Sequence, residues 1–256
     1  MPLQAGLAEA EALIGGAGRV GVLTGAGIST DSGIPDFRGP QGVWTRDPGA
    51  AALFDYDTYM GDADVRRRVW RMRRANPAWT AEPNAAHRAL AELDRSGRLL
   101  GLVTQNIDGL HQAGGVAAER VIEVHGTIHE VECTSCGRRT PTPEVLARLD
   151  EESDPHCPVC GGIQKTATIS FGQMLDPAVL EAAAATAAGA DLFLAIGTSL
   201  TVHPAAGLCD VALEHGAPLV VVNAEDTPYD DLAAAVLREP IAEAVPALVR
   251  AALGAD

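Results

Sequence analysis

Four of the five cysteines fall in two short pairs, Cys133-x2-Cys136 and Cys157-x2-Cys160, with 20 residues between them. Each pair can form a knuckle presenting two sulfurs, and two knuckles make a tetrahedron around Zn²⁺ at about 2.3 Å. Four thiolates leave the metal no open position, so the zinc this pattern implies is structural. Two disulfides, which need an oxidising compartment, or free thiols are the competing reading. Met1 to Val20 shows no basic region followed by an apolar run, and no stretch is long enough to span a membrane, which together predict a soluble cytoplasmic protein. His156 is too close to Cys157 in sequence to ligate beside it. Cys209 lies in an apolar helical pattern and reads as a small core residue.

Outside the cysteine segment the chain alternates α and β. Residues 4–15 carry apolar side chains at helical spacing, Asn84 can cap a helix that stops near Gly97, and helical patterns recur at 177–188 and 203–215. Strand-like runs occupy Arg19 to Leu23, Leu99 to Thr104, Val121 to Val124, Leu192 to Ile196 and Leu219 to Val222. Such a rhythm predicts βαβ units of a parallel sheet, with 127–166 inserted. Asp31 to Ala50 is punctuated by Gly33, Pro35, Gly39, Pro40, Gly42 and Pro48 and reads as a long ordered loop without secondary structure of its own.

Charge narrows the function classes. The sum of 19 basic and 34 acidic residues is -15, which disfavours nonspecific binding to nucleic acid or to an anionic membrane. Arg66 to Arg74 holds 6 of the 19 basic residues and no acid, leaving the rest of the chain at 13 minus 34, or -21. Val65, Val69 and Met72 recur at i, i+4 and i+7 there, which predicts an amphipathic helix with its arginines in water.

Gly25-x-Gly27 after the first strand is half of a dinucleotide fingerprint, but Thr30 stands where the third glycine belongs. Asp47 has about the right separation to hold a ribose, yet it lies in the proline and glycine loop and not at a strand end. An ordinary hydride-transfer enzyme is disfavoured on both counts.

Six short motifs nevertheless occur in one order: Gly25-Ala26-Gly27-Ile28-Ser29; Gly33-Ile34-Pro35-Asp36-Phe37-Arg38-Gly39; Thr104-Gln105-Asn106-Ile107-Asp108-Gly109-Leu110-His111; Glu123-Val124-His125-Gly126; Phe171-Gly172; and Gly197-Thr198-Ser199-Leu200. This ordered set resembles the sirtuins, which are NAD-dependent protein deacylases, over nearly the whole chain, with the four-cysteine module after the His-Gly motif. The resemblance implies a bilobal α/β protein in which a Rossmann-like parallel sheet lobe (1–41, 85–126 and 167–256) binds NAD. A smaller zinc-ribbon lobe (42–84 and 127–166) with a helical segment then forms the other wall. It also implies that NAD is consumed, that acyl-lysine proteins or peptides are the partners, and that nicotinamide, O-acyl-ADP-ribose and free lysine are the products, with acetyl or longer apolar acyl groups favoured over acidic ones and acetyl first among them. Oligomeric state is left open.

On the resemblance, His125 is the catalytic base and Asn106 acts beside it. Gln105 and Asn106 position the nicotinamide ribose, while Ile107 and Asp108 hold the carboxamide. Asp36, Phe37 and Arg38 belong to a loop that closes over the cofactor. Gly25, Ala26, Gly27, Ser29, Gly197, Thr198, Ser199 and Asn223 face the phosphates and the adenosine ribose, with strand-end capping as the competing role for Thr198, Ser199 and Asn223. Ile169, Phe171 and Gly172 on one side and Val202 on the other take the peptide as an added strand. The family usually has an acid after Phe-Gly, where Gln173 stands here. Counted back from Pro83-Asn84-Ala85-Ala86-His87, Val69 and Met72 fall where relatives that remove acidic acyl groups carry a Tyr-x-x-Arg pair. A one-residue shift offers Trp70 and Arg73 instead. His87, His129, His156, His203 and His215 read as structural, and His111 is undecided. Mono-ADP-ribosyl transfer from the same NAD site and a noncatalytic NAD-sensing or zinc module are the alternatives.

Overall fold

A computed structural model describes residues 3–39 and 42–254. Pro40, one of the punctuating residues of the long loop, and Gln41, the expected lobe boundary, lie outside the described residues. So do Met1, Pro2, Ala255 and Asp256.

The labelled elements are α1 (Leu3–Gly16), β1 (Val20–Thr24), α2 (Ala63–Arg74), α3 (Ala85–Arg95), β2 (Leu99–Thr104), β3 (Val121–Glu123), β4 (Gly126–Cys133), β5 (Arg139–Pro141), β6 (Gln164–Thr168), α4 (Pro177–Gly189), β7 (Leu192–Ile196), α5 (Leu208–Glu214), β8 (Leu219–Val222), β9 (Ala235–Leu237) and α6 (Ile241–Leu253). Six strands form one parallel sheet in the order β3-β2-β1-β7-β8-β9. β1, β7 and β8 are buried at every residue, which is why each reads as an unbroken apolar run. Alternate side chains serve opposite faces. Val20, Val22, Leu192 and Leu194 pack with Ala10, Ile14, Leu90 and Leu248 of α1, α3 and α6, while Leu23, Phe193 and Ala195 pack with Ala183, Ala187, Cys209 and Ala212 of α4 and α5. Cys209 is fully buried there, as a small core residue.

The expected caps form. The Asn84 carboxamide oxygen accepts from the main-chain N–H groups of Ala86 and His87, and His87 Nδ1 accepts from Asn84 N–H at 3.3 Å in return. Two elements around the parallel sheet, β9 and α6, were missed. β9 has only three residues, and α6 carries Pro246 inside its apolar pattern, yet Val245, Leu248 and Val249 bury it against the core. The long loop also holds more structure than expected. Gly42 precedes a one-turn helix at Val43–Arg46, and the Asp47 carboxylate accepts from Gly49 N–H to open a 3₁₀ segment at Pro48–Phe54. Local capping there builds short helices in spite of the prolines.

The cysteine segment folds around a second, antiparallel sheet in the order β5-β4-β6. α2 lies against it, with Trp70 packed on Val131 and Val145. The expectation of arginines in water holds for Arg68, Arg71 and Arg74, which are exposed, and fails for two that face protein. Arg66 is buried and pairs with Asp154 at 2.9 Å while donating to the carbonyls of Tyr59 and Met60. Arg73 is buried at the cleft described below. Arg74 adds bonds to Asp150 and the Leu146 carbonyl. Arg66 and Arg74 thus dock one helix onto an acidic segment, while Arg68 and Arg71 stay exposed. Breaking a buried pair leaves an uncompensated charge, so Arg66→Met is expected to cost about 3 kcal/mol of stability, measured by urea titration. An unchanged midpoint would show that Asp154 finds another partner.

Candidate functional site

A cleft of about 920 Å³ runs along the C-terminal ends of the parallel strands. It crosses the point where the strand order reverses between β1 and β7, the place where open α/β sheets bind ligands. The turns after these strands touch. A Cβ on Gly25 would lie 2.7 Å from the Gly197 carbonyl oxygen, and one on Gly27 would lie 2.8 Å from the Gly197 Cα. Gly197 itself has φ +62° and faces the Ile28 amide. Glycine is needed at all three positions because two main chains cross without room for a side chain. The result is a floor of bare main chain, the kind of cradle a pyrophosphate fits.

Every residue expected to bind cofactor or peptide lines this cleft. Asn106 Nδ2 donates to the Gly25 carbonyl and to Ser29 Oγ, each at 3.2 Å. Ser29 Oγ donates to Asp108 Oδ2 at 2.8 Å, and Leu110 N–H donates to Oδ1 at 3.0 Å, so the Asp108 carboxylate is held in one orientation. Gln105 Nε2 donates to Thr198 Oγ1 at 2.9 Å, tying the β2 end to the β7 end. The long loop is pinned by its own contacts. Asp36 Oδ1 accepts from Gly39 N–H, and Phe37 meets Phe54 edge-on with ring centres 5.9 Å apart. Burial lowers the Arg38 pKa. Asn223 Nδ2 donates to the Glu225 carbonyl at 2.9 Å, so it caps its own turn as well as lining the cleft.

His125 is the most informative side chain. Its Nδ1 lies 3.0 Å from the Gln105 carbonyl, an acceptor only, so Nδ1 carries the proton and Nε2 keeps its lone pair. Burial holds the imidazole below its ordinary pKa of 6.5, with the Gln105 bond acting the other way. The ring is therefore neutral at pH 7, with a basic nitrogen available at the cleft.

The other histidines divide. His111 is buried, with Nε2 2.9 Å from Thr24 Oγ1, and packs against His87 with ring centres 4.9 Å apart. Burial pushes His87 down to about 4 and His111 well below its ordinary value. Neither lines the cleft. His203, read as structural, does line it.

On the peptide side, Ile169 N–H donates to the His125 carbonyl at 2.9 Å, which registers this segment against the base. Phe171 is half exposed, but its main chain is already paired with Phe54 and Tyr56. Gln173 Oε1 accepts from Ser170 N–H at 2.9 Å, so it closes its own turn. Val69 and Met72 line the cleft, as does Arg73, while Trp70 is buried against the small sheet. Sequence reasoning missed Tyr59, Lys165, Arg238 and Glu239 in the lining. Burial lowers Arg73 to about 10 and Lys165 to about 8, the latter helped by Arg73. Lys165 could have been found from its place in β6 leading to Phe171. Arg238 and Glu239 follow the missed β9 and had no signal.

The four cysteines come together as expected. Their sulfurs all lie within 4.8 Å of one another, with Cys133 3.5 Å from Cys160 and Cys136 3.8 Å from Cys157. Tetrahedral Zn–S bonds of about 2.3 Å require sulfurs about 3.8 Å apart, so the donor set fits one structural zinc ion. Both knuckles close alike: Gly137 and Gly161, at φ +69° and +71°, donate N–H to the carbonyls of Cys133 and Cys157. None of the five cysteines is in a disulfide, which rules against the disulfide reading. His156 stands outside the cluster, bonded to the Asp154 carbonyl.

A doubly wound parallel sheet with a cleft at its switch point and an inserted four-cysteine ribbon defines the class: a dinucleotide-type α/β protein with a structural metal module. Residues 25–204 match the model of the Sir2 family. The chain is 59% identical over 232 residues to NAD-dependent protein deacetylase 2 of Streptomyces coelicolor, covering 90% of this chain and 96% of that one. It is 44% identical over 230 residues to NAD-dependent protein deacetylase 1 of Pyrobaculum aerophilum, covering 89% and 87%. Among solved structures, a Sir2 variant with a deacetylated p53 peptide and 3'-O-acetyl ADP ribose matches with a TM-score of 0.88 at 33% identity, covering 95% of this chain and 97% of that one. A Sir2 complex with p53 peptide and NAD+ matches with a TM-score of 0.82 at 34% identity, covering 91% and 93%. This chain belongs to the Sir2 family.

Proposed function

We propose that this chain is an NAD-dependent protein lysine deacetylase, which turns acetyl-lysine in proteins or peptides into free lysine and yields nicotinamide and O-acetyl-ADP-ribose. The observation that carries this reading is the His125 ring, whose proton is committed to the Gln105 carbonyl, with the Asn106 and Asp108 side chains in the same cleft. NAD, when bound, supplies the ribose carbon whose bond to nicotinamide can be broken. The chain's own residues do the rest. His125 Nε2 takes a proton from a ribose hydroxyl; Asp108, fixed by Ser29 and Leu110, accepts from the carboxamide; and Asn106, anchored on Gly25 and Ser29, positions the ribose. The cradle at Gly25, Ala26, Gly27 and Gly197, with Ser29, Thr198, Ser199 and Asn223 around it, receives the phosphates and the adenosine ribose. Asp36, Phe37 and Arg38 cover the reacting sugar, and Ile107 lines the carboxamide pocket.

Ile169, Phe171, Gly172 and Val202 hold the peptide. Since Phe171 spends its main-chain bonds on Phe54 and Tyr56, peptide pairing falls to Gly172 and to Thr201, beside Val202. The lobes divide as 1–41, 85–126 and 167–256 against 42–84 and 127–166. The start of β4 at Gly126 and the end of β6 at Thr168 support the crossings there. No helix among the described residues is long and apolar enough to cross a membrane. A cytoplasmic setting is part of the proposal, since it keeps thiolates reduced for zinc.

The test supplies NAD with acetyl, propionyl, succinyl and long-chain acyl-lysine peptides and follows nicotinamide and free lysine together. Acetyl peptide is expected to be turned over with one nicotinamide per lysine, and the succinyl arm measures what Arg73 adds. Nicotinamide release with protein labelling and without acyl peptide would instead establish ADP-ribosyl transfer.

A further inference from the structure

The loop that carries Gln105, Asn106, Ile107 and Asp108 into the cleft is closed on itself by one hydroxyl of a neighbouring strand. It leaves β2 at Thr104 and ends in the helical turn Leu110–Ala113. Thr24, at the end of β1, stands opposite Thr104 in the parallel register and is fully buried. Its Oγ1 donates to Thr104 Oγ1 at 2.8 Å and lies 2.9 Å from Nε2 of the buried His111. Asn106 N–H donates to Thr104 Oγ1 at 3.1 Å, and Gln105 N–H donates to the Thr24 carbonyl at 3.0 Å. Both ends of the loop therefore meet on a single residue of another strand. Thr24, Thr104 and His111 stand outside the cleft lining, so whatever they do for a ligand they do through the loop.

Counting hydrogens gives these bonds a direction. A hydroxyl has one, and Thr24 gives it to Thr104, so towards His111 its oxygen can only accept. Nε2 of His111 therefore carries the ring proton. Burial holds this imidazole well below its ordinary pKa, so the ring is neutral at pH 7 and the contact is not lost to titration there. Without the Thr24 hydroxyl the Nε2–H would be a buried donor with no acceptor, and the turn Leu110–Ala113 could regain one only by moving. Asn106 and Asp108 immediately precede that turn and would move with it.

We infer that Thr24 and His111 are positioning residues for the reaction: their hydrogen bond, continued to Thr104, clasps the loop 105–110 and holds Asn106 and Asp108 where the nicotinamide and its ribose bind. This rests on the NAD-dependent reading above. His111, undecided from its motif, acts as the donor that closes the clasp.

The experiment compares Thr24→Val with Thr24→Ser in the full chain, after urea titration has shown each to be folded. Valine keeps the shape and loses the hydroxyl, while serine keeps the hydroxyl and loses a methyl group. Packing alone ranks valine above serine; the clasp ranks serine above valine. In Thr24→Val, NAD affinity by titration calorimetry and inhibition by free nicotinamide are both expected to weaken about threefold to tenfold, and kcat on acetyl peptide to fall about tenfold or more. Thr24→Ser is expected to stay within about threefold of the wild type on all three. Affinity for ADP, which on this reading reaches neither Asn106 nor Asp108, is expected to be unchanged in both. His111→Gln, whose amide N–H can take the place of Nε2–H, and His111→Met, which has no donor, are expected to repeat the order, and they decide the matter if Thr24→Val does not fold. Serine no better than valine overturns the inference, and so does an equal loss of ADP and NAD affinity. A wild type that binds NAD but turns over no acetyl peptide would sink the deacetylase reading, and the ranking of NAD affinities would still decide the clasp.

Discussion

Replacing His125 by alanine is expected to lower the rate of free-lysine formation from acetyl peptide by a factor of about 10² to 10⁴, the usual worth of a positioned general base. The ring Nδ1–H is spent on the Gln105 carbonyl, so the variant loses the unprotonated Nε2 assigned the role of base. No step assigned to His125 includes binding the cofactor, so affinity for NAD should change far less than turnover. Buried His125 has a lowered pKa, and only the unprotonated ring is a base. The sign follows: activity is full above the folded pKa and is lost as pH falls through it. The acid limb of kcat/KM in the wild type should therefore lie below the ordinary imidazole value, and it should vanish from whatever activity the alanine variant keeps. Equal lysine formation by both proteins would remove His125 from the mechanism.

Loss of the metal is expected to be the other large effect. A four-thiolate zinc site in a small module contributes on the order of 10–16 kcal/mol of apparent binding energy, comparable to or above the whole stability of a typical domain. Cys133 ends β4, and Cys157 and Cys160 precede β6, so without metal the three-stranded sheet loses the link between its two longer strands. Trp70 reports the event. It is almost wholly buried against Val131 and Val145, and its fluorescence should shift to the red on treatment with a strong chelator or in Cys133→Ala. Turnover should fall in step with that shift, because α2 also carries Val69, Met72 and Arg73 into the cleft. A chelated protein with native fluorescence but no chemistry would mean that the metal acts in the reaction.

What was legible in the sequence was whatever repeats a local rule. Buried strands such as Leu192–Ile196 announce themselves as unbroken apolar runs, Asn84 announces a cap, and the cysteine spacing announces a tetrahedron. The lining of the cleft was legible because its residues sit in short motifs that resemble those of a known family. The rest depended on partners distant in sequence. Nothing around Arg66 reveals that Asp154 waits 88 residues away, so a helix rich in arginine read as a solvated one. β9 is three residues long and owes its existence to β8, so Glu239 and Arg238 could not be placed before the sheet was known. The glycines at 25, 27 and 197 looked like ligand contacts, and the structure gives them a prior reason, the crossing of two main chains.

That crossing also settles which environmental variable can act on which part of the cleft. Gly25, Ala26, Gly27 and Gly197 bring no ionisable group, so the field they present to an anion is made of peptide dipoles alone and does not titrate. Acidity therefore has its hold on the wall where His125 stands, and ionic strength has its hold on the floor. A cell that acidifies would slow this chain's chemistry while leaving the main-chain floor of the cleft as it was.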